Sequence, residues 1–145
     1  MGNNMVGVVI VAHGNLAEEL LKSSELIVGP LQNMRAVSVN SRNGVDQAMH
    51  DIQIAIEEVD SGSGVLILTD MFGGSPSNLS LSFLSKKHIE VVTGVNLPMI
   101  LKLASYREGH CLEEIKETVY VYGREKIIIA SDLLNKRLEE KKSKL

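Results

Sequence analysis

The chain has 145 residues, of which 44% are hydrophobic and 3% aromatic, and its formal net charge is −3. This length fits one domain with a proper core, which must consist of aliphatic side chains, as in a parallel sheet covered by helices. The negative charge argues against nucleic acid or an anionic membrane as a partner. The single cysteine excludes an internal disulfide framework and fits a reducing cytoplasm, where we expect the protein.

Short apolar runs alternate with segments of helical periodicity along the whole chain. Strand candidates cover residues 6–12, 36–39, 65–68 and 89–93. Helical faces recur in the segments between them, on residues 17–28, 45–59, from about Ser75, after Asn96, on 112–119, and from Leu133 to the end. This order predicts an α/β fold with three layers (α/β/α) around a mostly parallel four-stranded sheet.

We find no internal repeat and no linker long enough to separate domains. The prediction is therefore one domain over residues 1–145, with a core of about 5–130 and a charged C-terminal helix over 131–145. Residues 126–130 form a last β-rich run before that helix. No stretch is long enough to cross a bilayer, so direct membrane insertion is not expected.

Polar side chains follow two of the predicted strands. His13 ends the first apolar run, and Thr69 and Asp70 follow the third. If these strands are neighbours in a parallel sheet, His13 and Asp70 meet at its carboxyl edge, where ligands bind in open α/β sheets. A carboxylate on one ring nitrogen would orient the imidazole and leave the other nitrogen free as a nucleophile.

A glycine-containing turn follows Asp70 and leads into a helix. Gly73 and Gly74 permit a tight turn and close approach of a ligand, and Ser75 is predicted to be the N-cap, with Pro76 at the first helical position. Free N–H groups at such a helix start favour an anion. Together, the histidine, the carboxylate and this anion site indicate phosphoryl transfer through a phosphohistidine.

Other reactive side chains have more ordinary interpretations. His50, His88 and His110 are interpreted as structural or solvated residues, and Cys111 as a small buried residue. Asp70 could cap a loop, Gly73 and Gly74 could serve only the turn, and Ser75 could be only a helix cap.

Four motifs in this order resemble the mannose-type IIA component of the bacterial phosphoenolpyruvate-dependent sugar phosphotransferase system (PTS). They are Val-Ile-Val-Ala-His-Gly at 9–14, Thr-Asp-Met-Phe-Gly-Gly-Ser-Pro-Ser-Asn at 69–78, Gly-Val-Asn-Leu-Pro-Met at 94–99 and Gly-Arg-Glu at 123–125. The resemblance covers most of the chain, from His13 to about Glu125. The motif at 69–78 is quite specific to the family.

The resemblance implies that His13 accepts a phosphoryl group from the phosphocarrier HPr and passes it to a IIB component. Asp70 would orient His13, and Gly73, Gly74 and Ser75 would hold the phosphoryl oxygens. Thr69, Asn96 and Pro98 would support the site. It also implies a homodimer that exchanges an edge strand, here residues 126–130, and no metal or other cofactor. Partner docking is expected to leave an apolar patch around the site, for which Met71, Phe72 and Met99 are candidates, although each of them could equally belong to the core.

Several alternatives remain open from the sequence. The domain could be phosphorylated only as a regulatory signal, or be the phosphotransfer subunit of a dihydroxyacetone kinase. A more distant alternative is a tetrapyrrole metal chelatase, in which His13 would bind the metal with a second ligand nearby. The identity of the sugar is not readable from this chain.

Overall fold

The computed structural model describes residues 5–40 and 42–144. Within these residues the strands are β1 (Gly7–His13), β2 (Met34–Val39), β3 (Val65–Thr69) and β4 (Ile89–Thr93). The helices are α1 (Leu16–Val28), α2 (Gly44–Val59), α3 (Ser75–Leu81), α4 (Leu97–Tyr106), α5 (Leu112–Glu125) and α6 (Ala130–Ser143), with a 3₁₀ turn at Ser82–Ser85 after α3. No helix in the described part of the chain is long and apolar enough to span a membrane.

The four strands form one parallel sheet in the order β2-β1-β3-β4. Because β1 and β3 are adjacent, His13 and the residue after Thr69 reach the same edge of the sheet. The predicted three-layer architecture is confirmed.

The core lies on both faces of the sheet because side chains of a strand alternate between the two faces. Val8 and Ile10 of β1 pack with α1, α4 and α5, whereas Val9 and Val11 pack with α2. β1 is therefore apolar at every position until His13, as expected for a strand buried on both sides.

The predicted helical faces need two corrections. Ile27 and Val28 at the end of α1 are 60% and 45% exposed, and Val45 at the start of α2 is 65% exposed. All three lie in the first or last turn of a helix. The periodic pattern predicts the helices but not which residues of a terminal turn are buried, since Ala17 and Val59, also in terminal turns, are 0% and 1% exposed.

Residues 126–130 form no strand within this chain. Helix α5 extends to Glu125, α6 begins at Ala130, and Ile127, Ile128 and Ile129 between them are 79%, 51% and 67% exposed. A strand requires a neighbour for its backbone hydrogen bonds, and none of the described strands pairs with this segment. Helix α6 also buries none of its residues.

Candidate active site

His13 and Asp70 are in direct contact at the carboxyl edge of the sheet. The Nδ1 atom of His13 lies 2.6 Å from Oδ2 of Asp70, and the backbone N–H of His13 donates to the same oxygen at 3.0 Å. The backbone N–H of Met71 donates to the other carboxylate oxygen at 2.9 Å. Both the ring and the main chain of His13 are therefore fixed relative to one carboxylate.

The electrostatics of this pair determine which ring nitrogen carries the proton. Burial would raise the pKa of Asp70, but the hydrogen bonds from His13 and Met71 outweigh it and lower the pKa below its ordinary value. Asp70 is consequently ionised at neutral pH and only accepts hydrogen bonds. Nδ1 of His13 must then be the protonated nitrogen, which leaves the lone pair of Nε2 available.

The His13 ring faces solvent while its partner lies beneath it. The side chain of His13 is 51% exposed and that of Asp70 only 11%. The backbone of Gly74 closely approaches the ring, since a methyl group added at Gly74 would lie 2.8 Å from Cε1 and 3.4 Å from Nε2 of His13. Gly74 thus allows the loop after β3 to pass directly against the imidazole.

Helix α3 begins at Ser75, as predicted, but the cap differs from the prediction. Gly74 is the N-cap residue, Ser75 is the first helical residue, and no side chain caps the helix. The reason is the extended backbone of Gly74 (φ −86°, ψ 170°), which places the start of the helix one residue earlier. Ser75 is exposed and, among the described residues, its hydroxyl makes no hydrogen bond, so it is free to bind a ligand.

The three predicted supporting residues lie around the adjacent strand ends. Thr69 is buried at the end of β3, and its carbonyl accepts hydrogen bonds from the N–H groups of Gly94 and Val95, both at 2.9 Å. Asn96 is the N-cap of α4 and accepts from the N–H of Met99 at 3.1 Å. Pro98 lies in the first turn of that helix, as predicted. None of these three residues forms a hydrogen bond with His13.

A cavity of about 270 Å³ opens beside His13 that the sequence did not predict. Apart from His13, Ser75 and Asn40, its lining is mostly apolar. The apolar lining comes from the end of β2, the first turns of α2 and one residue of α3, namely Val39, Val45, Ala48 and Leu79, with Gly44 between them. The only indication of this cavity in the sequence was Val45, an apolar residue at the start of a helix that proved to be exposed.

Ser38 is a second residue that sequence reasoning missed. Its hydroxyl donates to the carbonyl of Gly14, and the N–H of Gly14 donates to the carbonyl of Val39 at 3.1 Å. These bonds attach the turn after His13 to the neighbouring strand β2. No sequence pattern identifies a serine in the middle of a short edge strand as such an anchor.

The predicted apolar patch is present in part. Phe72 and Met71 are 72% and 53% exposed on the loop after Asp70. Met99 is buried at 3% and packs in the core, so its assignment to the patch was wrong. It lies against Gly123 of α5, where an added methyl group would come within 2.6 Å of it.

The remaining histidines and the cysteine lie away from His13. His50 is exposed on α2, and His88 precedes β4 at the opposite edge of the sheet. Cys111 is exposed at the start of α5, where its thiol donates to Glu114 at 3.0 Å, so the expectation of a buried cysteine was wrong. Among residues 5–40 and 42–144, no three His, Cys, Asp or Glu side chains converge as a metal site.

Comparison with known proteins identifies the family. The profile of the family described as "PTS system fructose IIA component" matches residues 7–120. The chain belongs to this family. A PTS IIA component is a phosphoryl carrier of the sugar phosphotransferase system, and this is the general role of the chain.

Relatives over most of the chain carry corresponding names. This IIA component is 29% identical over 133 residues to the fructose-specific EIIA component of Bacillus subtilis, covering 91% of each chain. It is 38% identical over 124 residues to the putative phosphotransferase enzyme IIA component YadI of Escherichia coli, covering 82% of each. It is 31% identical to the mannose-specific EIIAB component of Escherichia coli, of which it covers only 38%.

Solved structures of IIA proteins share the fold. The EIIA component from Streptococcus agalactiae superposes with a TM-score of 0.81 at 26% identity, covering 88% of this chain and 99% of that one. The IIA protein associated with the fucose utilization operon of Streptococcus pneumoniae gives a TM-score of 0.79 at 29% identity, covering 92% and 99%. These findings favour the phosphotransferase-system interpretation over the dihydroxyacetone kinase and chelatase alternatives.

Proposed function

We propose that His13 carries the phosphoryl group, accepting it from the phosphohistidine of HPr and passing it to a IIB component. The observation that carries this proposal is the 2.6 Å contact between Nδ1 of His13 and Asp70, which leaves Nε2 on an exposed ring. A nucleophile that serves two protein partners in turn has to be exposed, and a side chain on its buried side has to fix its orientation.

The chemistry needs no proton transfer during the phosphoryl step. The lone pair of Nε2 attacks phosphorus, the bond between phosphorus and the donor imidazole breaks, and the donor nitrogen keeps the electron pair. The Nδ1 proton of His13 stays on its hydrogen bond to Asp70. The positive charge that arises on the phosphorylated ring is balanced by the Asp70 carboxylate, whose lowered pKa keeps it ionised.

The loop after Asp70 would receive the phosphoryl oxygens. Gly74 lies directly beside Nε2, and Gly73 and Ser75 flank it in the chain. Backbone N–H groups at the start of α3 and the free hydroxyl of Ser75 can donate to these oxygens. A donor set of this kind is neutral, so it stabilises the phosphoryl group without binding it too tightly for onward transfer.

An apolar surface surrounding His13 would dock both partners. Phe72 and Met71 lie on the loop after Asp70, Leu16 follows His13 closely in the chain, and Val45 borders the cavity beside the ring. All four are at least 45% exposed. Exposed apolar side chains grouped around a functional site mark a protein interface, and one surface shared by HPr and IIB would make their binding mutually exclusive.

The exposed segment at residues 127–129 would join two chains into a homodimer. Three consecutive isoleucines there are at least 51% exposed and form no strand with the described part of the chain. β-Branched residues favour strands, and such a segment gains backbone partners by adding to the sheet edge of another copy. The dimer, the cytoplasmic location and the choice between transport and regulation all belong to this proposal rather than to the shared fold.

Phosphorylation of His13 can be tested by intact mass spectrometry. The protein is incubated with phosphoenolpyruvate, enzyme I and HPr, and His13→Ala is compared with wild type and with His50→Ala. We expect wild type and His50→Ala to gain the mass of one phosphoryl group, and acid to remove it. The His13 variant should gain none, and adding a IIB component should remove the group from wild type.

His50→Ala is the matched control because it removes another exposed histidine from the same protein. Phosphorylation of the His13 variant would place the acceptor elsewhere and contradict the proposal. The absence of a gain in folded wild type with a cognate HPr would also contradict it. Retention of the phosphoryl group in the presence of every available IIB component would favour a regulatory role.

A further inference from the structure

The side chain of Asn96 joins two helices next to the active site. Its Oδ1 accepts from the N–H of Met99 at 3.1 Å, which caps α4. Its Nδ2 donates to the carbonyl of Gly123 in α5 at 3.0 Å. An aspartate could cap α4 equally well, but it has no donor for the second bond, and the hydroxyl of a serine ends one bond short of the position of Nδ2. The bridge needs an acceptor and a donor on separate atoms at the end of the side chain, which an amide supplies.

The close packing at Gly123 shows that the bridge lies in a closely fitted contact. Gly123 is buried, and a methyl group added there would lie 2.6 Å from Cγ and 2.9 Å from Sδ of Met99, and 3.5 Å from Oδ1 of Asn96. The last turn of α5 therefore lies against the side chain of Met99 in the first turn of α4, and a displacement of α5 would act on the residues at the start of α4.

That loop in turn holds the chain just before Asp70. The N–H groups of Gly94 and Val95 both donate to the carbonyl of Thr69 at 2.9 Å. This carbonyl belongs to the same planar peptide unit as the nitrogen of Asp70. Fixing the carbonyl with two donors therefore restricts the orientation of the backbone from which the Asp70 carboxylate extends.

We propose that Asn96 is a positioning residue for the reaction, which holds Asp70 in place for His13 by fixing the β4–α4 loop against α5. The effect is indirect, because Asn96 forms no hydrogen bond with His13 or Asp70. It acts through the β4–α4 loop and the carbonyl of Thr69. The consequence for phosphoryl transfer rests on the proposed function of His13, whereas the consequence for the His13–Asp70 geometry does not.

The test separates the bridge from the helix cap. Asn96→Asp retains an oxygen for the N–H of Met99 and has no donor for Gly123, and Asn96→Ser retains an oxygen but ends one bond short of the position of Nδ2. Gly123→Ala leaves Asn96 intact and disturbs the contact between α5 and α4, because the added methyl group would lie 2.6 Å from Cγ of Met99. Ile115→Val is the control, since Ile115 is a buried residue of α5 outside the bridge and its truncation loosens the packing of the same helix.

Two measurements are made on each variant at a temperature below its melting transition. The first is the single-turnover rate of phosphorylation by phospho-HPr, which we expect to fall about 3- to 10-fold in the three bridge variants, because small displacements of reacting groups are costly. The second is the NMR signal of the Nδ1 proton of unphosphorylated His13. We expect this signal to shift and to exchange faster with water in the bridge variants only.

The inference is overturned if the bridge variants retain the wild-type His13 signal and slow transfer no more than Ile115→Val does. Asn96 would then be only a helix cap. Should one Asn96 variant fail to fold, Gly123→Ala decides the question through the same two readouts. A wild-type protein that is not phosphorylated at all would refute the proposed function, while the NMR comparison would still decide the positioning role of Asn96.

Discussion

Gly74 lies against the imidazole of His13. Replacing Gly74 with alanine should displace the imidazole, and Nε2 with it, while leaving the stability of the fold nearly unchanged. The backbone at Gly74 has φ −86° and ψ 170°, an extended conformation that alanine adopts without strain. An added methyl group would lie 2.8 Å from Cε1 of His13, and ordinary contact requires at least 3.4 Å. The ring must therefore tilt away from Gly74 and disturb its bond to Asp70.

The expected magnitudes are small for stability and large for transfer. Alanine at a compatible glycine position stabilises by about 0.4–1 kcal/mol through the unfolded state. Weakening the bond between the half-exposed imidazole and Asp70 costs about 1 kcal/mol. The free energy of unfolding should therefore change by less than about 1 kcal/mol. Since a displacement of about 1 Å can cost about 100-fold in rate, a tilt of several tenths of an ångström should slow phosphoryl transfer about 10-fold.

The assay compares urea unfolding with single-turnover transfer from phospho-HPr. Gly73→Ala is the matched control, because Gly73 has φ +89° and no heavy atom within 4 Å of an added methyl group. Alanine there is strained by about 1–2 kcal/mol but does not touch the ring. We expect Gly74→Ala to lose rate and keep stability, and Gly73→Ala to lose stability and keep more of the rate. Wild-type transfer by Gly74→Ala would refute the reasoning.

Three further predictions concern the same protein. Because the pKa of Asp70 is lowered from 3.8 in the folded chain, its stabilisation is present above that value and is lost as the pH falls through the folded pKa. In urea unfolding, Asp70→Asn should therefore be less stable than wild type at about pH 7, and this difference should shrink as the pH falls below 3.8. Phe72→Ala removes a 72% exposed ring. In steady-state kinetics it should raise the KM for phospho-HPr about 3- to 10-fold and leave kcat unchanged. An unchanged KM would exclude Phe72 from the docking surface. Ile128→Lys should yield monomers in analytical ultracentrifugation, whereas Ile54→Lys on α2 should not. Dimers of the Ile128 variant would exclude residues 127–129 from the dimer interface.

The fold was predictable because its signal is carried by long, regular patterns. β1 is apolar over its whole buried length, and the order of strands and helices in the sequence already implies a parallel sheet with helices on both faces. The ends of elements carry less information. Val45 belongs to the apolar periodicity of α2 and is nevertheless exposed, because periodicity does not report which neighbouring elements cover each residue.

The site was predictable only where chemistry and topology coincide. His13 and Asp70 each follow a strand, and adjacency of β1 and β3 is enough to bring them together. The anchoring by Ser38 and the bridge by Asn96 depend on side-chain positions that strand and helix patterns do not specify. Ser38 is one polar residue in an edge strand, and a supporting role for Asn96 came only from the family resemblance, which did not identify its partners.

Arg107 also lay outside what the sequence could predict. It is 4% exposed, and its guanidinium donates to the carbonyls of Val6, Asn33 and Gln32 at 3.1, 3.1 and 2.5 Å. Burial lowers its pKa to about 10. A charged residue at the end of an amphipathic helix ordinarily predicts exposure, and only the three-dimensional contact of the end of α4 with the segments before β1 and β2 provides these acceptors.

The combination of an exposed histidine with a sheltered carboxylate would let one nitrogen serve two partners, as we propose for His13. One Asp70 oxygen binds both the ring and the main chain of His13, so the imidazole is oriented before any partner arrives. The turn after His13 is attached to β2, and the chain before Asp70 is attached to the β4–α4 loop. Because the protein itself fixes the buried side of the site, the solvent-facing side of the His13 ring can remain open. An enclosed pocket would bind the phosphoryl group more tightly and exclude the acceptor, so openness above a rigid base is what a carrier requires.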